Sequence, residues 1–146
     1  MGKPNPSQDR PNDARVLDCL YRVGAFVNAT EDPREALNFI LSEVVRTLGA
    51  SSASIALLEP STGSLRIEVS NGLDEKSHEK VLPAGQGITG WVALYAKPLL
   101  VPDVRKDNRY VELRSSVRCE LAVPMELMGN VIGVVNCDAD RVNAFS

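Results

Sequence analysis

The spacing of apolar residues changes once along this chain, at Gly49, and that change restricts the fold more than any other feature. Before it, Val16, Leu20, Val23 and Val27 recur at three- and four-residue steps, with Leu17, Tyr21 and Gly24 beside them. This spacing predicts a helix over 13–29 with a wide apolar face. Asp32-Pro33-Arg34-Glu35 then reads as a helix start: a capping acid, a proline at the first helical position, and Glu three residues after the cap. Leu37, Ile40, Leu41, Val44 and Leu48 form one stripe that Gly49 is placed to end. Burying five such side chains gains roughly 10 kcal/mol gross, so the second helix is expected to lie on a core.

Beyond Gly49 the period is 2. Residues 53–58 and 65–70 read as strands joined across Pro60-Ser61-Thr62-Gly63, and Asn71-Gly72 closes the second. Residues 73–80 are charged and read as an exposed helix or loop. Residues 87–96 read as a helix, 98–101 as a short edge strand limited by its prolines, and 104–118 as polar and irregular. Residues 120–126 and 130–138 form the clearest hairpin. The order ααββαβββ with short connections predicts an antiparallel sheet with helices packed on it, an α+β fold.

The hairpin register follows from its pattern. A two-residue turn at Met128-Gly129 sets Glu120 against Cys137 and mixes polar and apolar side chains on both faces. A three-residue loop, Leu127-Met128-Gly129, sets Glu120 against Asn136 and is the expected register. Cys119, Leu121, Val123, Met125, Val131, Val135 and Cys137 then share an apolar face. Glu120, Ala122, Pro124, Ile132, Val134, Asn136 and Asp138 share the other, mixed face.

With 146 residues, 44% of them apolar, the chain suits one domain with its own core. A net charge of −3 argues against a nucleic-acid partner, which calls for clustered lysine and arginine. No apolar run approaches the ~20 residues of a membrane span. Pro6 stands where a myristoylation motif at Gly2 wants serine or threonine. Three cysteines without close spacing fit a reducing compartment. The expectation is a cytoplasmic chain without membrane contact. Residues 1–12, polar and broken by prolines, are expected to be a disordered terminus, and 13–146 a single domain. The chain stops at Asn143-Ala144-Phe145-Ser146 without a helix end, which suggests a piece of a longer protein.

Gly85-Gln86-Gly87-Ile88-Thr89-Gly90-Trp91-Val92, then Pro98-Leu99-Leu100-Val101-Pro102-Asp103, then Ala122-Val123-Pro124-Met125 with Val131-Ile132-Gly133-Val134-Val135-Asn136 resemble GAF domains in order and spacing across residues 15–146. The resemblance implies a GAF/PAS-like central antiparallel sheet with terminal helices on one face. A ligand pocket covered by loops and short helices lies on the other. It also implies a C-terminal helix starting near Phe145, which is expected to be truncated in this sequence.

Gly85-x-Gly87-x-x-Gly90 matches the dinucleotide fingerprint as a string, but residues 80–84 make a poor buried strand and the sheet reads as antiparallel. Two readings remain. The glycines form a turn into a helix whose free N–H groups at Gly87, Ile88 and Thr89 face a ligand, or they serve only close packing. Trp91 and Tyr95, four apart, and Tyr110 are candidate lining residues. Arg118 is a candidate partner for Asp138 or for a ligand carboxylate, and Glu120, Asn136 and Asp138 are expected on the pocket floor.

Free methionine-(R)-sulfoxide reductases, which are similar to GAF domains, place reactive cysteines where this chain has Thr89 and Leu113. Glu120 and Asp138 match their ligand-binding acids, and Asn136 replaces another. Cys119 and Cys137, on the apolar face, read as core thiols. The Asn-Lys pair that often marks cyclic-nucleotide binders is missing, and no cysteine is well placed for a bilin. His78, the only histidine, reads as a surface residue before a haem or iron ligand. No cofactor is named.

The expected function is a non-enzymatic regulatory module binding a small-molecule ligand. It would homodimerise through its terminal helices and be linked to an output domain of a bacterial-type signalling protein, such as a two-component sensor kinase. A ligand-free dimerisation module, with Val16, Leu20, Val23 and Val27 pairing between chains, and a reductase-like enzyme are the alternatives.

Overall fold

The computed structural model describes residues 11–73, 81–112 and 116–145. Helix α1 spans Pro11–Ala29, starting two residues before the expected 13. Helix α2 spans Pro33–Leu48. Asp32 caps it by accepting the Arg34 N–H at 2.9 Å, and Gly49 ends it with a left-handed φ of 65°. Six strands follow: β1 (Ser52–Leu58), β2 (Leu65–Asn71), β3 (Val81–Leu82), β4 (Leu99–Val101), β5 (Cys119–Leu127) and β6 (Asn130–Ala139). Helix α3 spans Gly87–Tyr95, between β3 and β4, and a short 3-10 turn (Val104–Lys106) follows β4. The strand order is β3-β2-β1-β6-β5-β4, and every pairing is antiparallel. The fold is α+β, without the parallel βαβ unit that a dinucleotide fingerprint requires. The two-residue edge strand β3 is too short to leave a period in the sequence. The charged segment 74–80, with His78, lies outside the described residues.

Two apolar clusters divide the core, one on each face of the sheet. Behind it, Leu41 of α2, wholly buried, meets Ala53, Ile55, Val69, Cys119, Cys137, Ala139 and Phe145. Leu48, at the end of the expected α2 stripe, is instead exposed, and Val45 packs inward. Glu43 of α2 is only 3% exposed, because it turns toward α1 and meets Arg22 at 3.1 Å and Arg46 at 2.7 Å. Beside this pair of guanidinium contacts, Phe26 of α1 stacks on Phe39 of α2 with ring centres 4.2 Å apart. In front of the sheet, Ile88 and Val92 of α3 pack on Ala56, Leu65, Ala122 and Val134.

Two bulges decide which side chains face which cluster. Ile55 pairs with Val69 and Ala56 with Ile67, so Glu68 is an extra residue in β2. Leu65 and Ile67 consequently face forward while Val69 turns back, although all three share one parity. Arg34 of α2 holds this bulge, donating to the Glu68 carbonyl at 3.0 Å and contacting its carboxylate.

The second bulge corrects the hairpin register. The turn is the two-residue Met128-Gly129, with Leu127 paired to Asn130 and both turn residues at positive φ. Met125 pairs with Gly133 but Glu126 with Val131, leaving Ile132 extra. Beyond it Glu120 pairs with Asp138, not with Asn136. The expected loop and the observed turn plus bulge differ by two residues, an even shift. The division into a Cys119–Cys137 face and a Glu120–Asn136 face is therefore the same in both beyond the bulge, whereas Val131, expected on the cysteine face, pairs with Glu126 and falls on the other.

Candidate functional site

On the front of the sheet a cavity of about 50 Å³ lies between β1, β2, β5, β6 and the N-terminal turn of α3. One water needs about 10–15 Å³ on this measure, so the space holds several. Its polar lining comes from Ser54, Thr89, Glu120, Asn136 and Asp138, all buried. Such groups are expensive to bury without partners, so their gathering at one place is informative. Apolar side chains close the rest, among them Ile67, Ile88, Tyr110 and Val117.

The acids stand on neighbouring strands, Glu120 directly opposite Asp138. Asn136 Nδ2 donates to Asp138 Oδ1 at 3.2 Å, and Ser52 Oγ donates to Asp138 Oδ2 at 3.3 Å. Asn136 Oδ1 is buried and has no hydrogen-bond partner. Burial first, then the Asp138 carboxylate, pushes the Glu120 carboxyl well above the usual range. A hydrogen bond with Asn136 opposes the shift, and Asp107 adds to it.

The glycine motif leads into the cavity. Gly85 and Gly87 have φ of 73° and 70°, a conformation that side chains rarely adopt. A Cβ on Gly90 would lie 2.9 Å from the Gly85 carbonyl carbon, so the third glycine serves close packing. The motif thus combines a close approach at Gly90 with a turn that puts Gly87, Ile88 and Thr89 in the cavity wall.

Of the candidate residues, Gly87, Ile88, Thr89, Tyr110, Glu120, Asn136 and Asp138 surround this one cavity. Trp91, Tyr95 and Arg118 do not. The cavity meets only the first turn of α3, at Gly87, Ile88 and Thr89, so Trp91 packs on the front cluster farther along the helix and Tyr95, in the last turn, is 55% exposed. There the Trp91 and Tyr95 rings meet at 4.9 Å, with the Arg109 guanidinium 4.9 Å from the centre of the Trp91 ring. Arg118 is held by its main chain, whose N–H donates to the Ala139 carbonyl and whose carbonyl accepts from the Val104 N–H, each at 2.8 Å, while its side-chain Nη1 is buried without a hydrogen-bond partner among the described residues. The irregular residue before β5 puts Val117 in the cavity wall in its place. The sequence reading missed Ser54, whose signal is a lone hydroxyl in the buried run Ala53-Ser54-Ile55-Ala56, and missed Leu65 and Ile67, which a bulge brings forward.

Arg109 ties the cavity wall to α3. Asp107 Oδ1 accepts from Arg109 Nε at 2.9 Å, and Asp107 is held below the usual carboxylate range by that contact. The next residues, Tyr110 and Val111, line the cavity. Arg109→Ala is expected to shift the emission of Trp91, the single tryptophan, and to cost about 1 kcal/mol of stability. A spectrum identical to that of the parent would contradict the contact.

Behind the sheet, burial pushes the Cys137 thiol up to about 12, with Asp138 and Glu120 adding to the effect, and Cys119 has no exposed surface. Among the described residues no group of three or more His, Cys, Asp and Glu side chains stands together as a metal site, and no helix is long and apolar enough to cross a membrane.

A helix-backed antiparallel sheet carrying one buried polar cavity on its open face defines the structural class. The profile of the GAF domain family (GAF_2) matches residues 30–146, and the chain belongs to that family. GAF domain-containing protein A of Dictyostelium discoideum is 36% identical over 61 residues, which are 42% of this chain and 39% of that protein. The match therefore spans about two fifths of that relative's length. Among solved structures, the GAF domain of an Acinetobacter phosphoenolpyruvate-protein phosphotransferase superposes with a TM-score of 0.81 at 22% identity, over 89% of this chain and 80% of that one. Free methionine-R-sulfoxide reductase from Neisseria meningitidis superposes with a TM-score of 0.83 at 19% identity, over 100% of this chain and 85% of that one. At these identities the superpositions establish the shared fold.

Proposed function

We propose that this GAF domain is a non-catalytic sensory module of a cytoplasmic signalling protein, whose small-molecule ligand occupies the cavity in front of the sheet. The single observation that carries this reading is the convergence of five buried polar side chains on one cavity inside an otherwise apolar cluster. The same strands face both ways. Asn136 and Asp138 line the cavity while Cys137, between them, packs in the cluster with Leu41 of α2. A ligand that moves β6 is therefore felt by α2, and through Glu43 by α1. Coupling requires that the ligand bind two helix arrangements with different affinity. Against catalysis stand Thr89 and Leu113, at the positions where the resembling reductases carry cysteine; Leu113 lies outside the described residues.

A melting-temperature screen against nucleotides, amino acids and 2-oxoacids tests the reading. A ligand at 100 times its Kd is expected to stabilise by about 2.7 kcal/mol. Ala56→Leu, which places three more carbons in the cavity wall, is expected to abolish the response. If no compound stabilises the parent and Ala56→Leu is the more stable protein, the cavity is packing space and the sensor reading fails.

A second observation favours self-association. Cys19, Val23 and Phe26 of α1 are partly covered, whereas Leu17, Leu20 and Tyr21 are exposed, Tyr21 by 78%. A helix apolar on two sides has room for a second partner, and the proposed one is α1 of another copy. Val23, expected in that contact, instead belongs to the partly covered side. Leu20→Glu is expected to turn a dimer into a monomer on sizing chromatography. A parent that elutes as a monomer at 100 times the assay concentration contradicts the dimer. An output domain linked beyond the sequence completes the proposed signalling protein.

A further inference from the structure

We propose that the ligand carries a protonated amine, whose N–H groups are donated to Glu120 and to Asn136 Oδ1 in the cavity wall. The inference rests on the cavity being a ligand site and goes on to name the chemistry that the site selects. Three observations support it. Asn136 Oδ1 is a buried acceptor with no donor, and Asn136 as a whole is 8% exposed. Leaving such an acceptor unmet is costly, so the wall is built for a partner that brings hydrogen. Glu120, 6% exposed, is a second acceptor on the adjoining strand, two register steps from the Ala122–Asn136 pair and on the same face. The described lining contains the carboxyls of Glu120 and Asp138 and no lysine, arginine or histidine. An ammonium group supplies up to three hydrogens and a positive charge. A carboxylate ligand would bring only acceptors to a wall already rich in them.

The site has a built-in proton linkage. The groups facing Glu120 are Asp138 from β6, Asp107 from the segment after the 3-10 turn, and Asn136. Across the cavity stands the N-terminal turn of α3, whose partial positive charge favours the ionised form. Burial and the two acids favour the neutral form and prevail. An amine binds the ionised form of Glu120, so wherever the empty site still holds its proton, binding releases that proton to the buffer. Binding therefore strengthens as pH rises toward the range in which Glu120 ionises by itself, and weakens below it.

Four probes separate the alternatives by calorimetry on the whole chain: propylamine, propyltrimethylammonium, propionate and magnesium chloride. Propylamine is expected to bind, to lose affinity as pH is lowered, and to show over that range a proton release detected as a buffer-dependent enthalpy. Propyltrimethylammonium, charged but without N–H, is expected to bind at least 10-fold more weakly. Glu120→Gln is expected to remove the proton release and to lower propylamine affinity about 10- to 100-fold. Asn136→Leu, which keeps the acid, is expected to reduce the preference for propylamine over the quaternary compound. Stronger binding of propionate, of magnesium alone, or of both amines equally overturns the amine assignment while leaving the cavity a ligand site. Binding of none of the four, with Ala56→Leu more stable than the parent, overturns the site itself.

Discussion

Glu120→Gln is expected to melt higher than the parent at pH 8 and at nearly the same temperature at pH 4. Glu120 is held above its ordinary value of 4.5 chiefly by burial and by Asp138 across the strand pair. The folded state therefore binds this proton more tightly than the unfolded state does. Below 4.5 both states are protonated and the acid costs nothing relative to an amide. As pH rises through 4.5 the unfolded chain releases its proton and the folded one retains it, so stability falls until Glu120 itself ionises. Each tenfold difference in proton affinity between the two states is worth about 1.4 kcal/mol above that range. Glutamine keeps the size and removes the titration, so the downward slope of stability against pH should flatten. Chemical denaturation of the two proteins at pH 4, 6 and 8 measures this. Parallel pH profiles would place the titrating carboxyl elsewhere.

Gly133→Ala is expected to destabilise the domain by about 3 kcal/mol or more. Gly133 sits in β6 between β1 and β5, paired with Leu57 on one side and Met125 on the other. A Cβ there would lie 2.4 Å from the Ala56 carbonyl oxygen and 2.7 Å from Met125 Cε. Met125 can move away, but the Ala56 oxygen belongs to the neighbouring strand's backbone and can retreat only if the strands separate. The crowding adjoins the bulge at Ile132, so a second effect is predicted from the same change. If the bulge slips to relieve it, the register beyond shifts and Glu120 no longer stands opposite Asp138. Denaturant titration gives the stability, and a loss below about 1 kcal/mol would show that the strands yield more easily than this packing implies.

The two results bear on one structural fact, that the cavity acids and the helix-side core share β6. Glu120 tests the polar front of the sheet and Gly133 tests the strand contacts that hold both faces in place.

The sequence alone determined the helices, five of the six strands and the two-sidedness of the sheet. Asp32 and Gly49 mark α2 because caps act within one turn of chain, and a cap is legible wherever the backbone groups it satisfies are its own neighbours. The faces of the final hairpin were legible because alternation is local to each strand, and they survived a mistaken loop length because the error was even. Only the tertiary structure decided register and direction. Val69 faces away from Leu65 and Ile67 because an extra residue at Glu68, fastened by Arg34 from another element, breaks the alternation. Trp91 and Tyr95 do not line the cavity because it abuts only the first turn of α3, and they stand one and two turns farther along. The main chain of Arg118 is fixed between Val104 and Ala139, and its side chain is not among those lining the cavity. The acid pair itself, Glu120 against Asp138, exists only once a bulge at Ile132 has moved one strand past the other. Local chemistry writes its signal into a few adjacent residues, whereas bulges and competition for a shared surface depend on partners far along the chain.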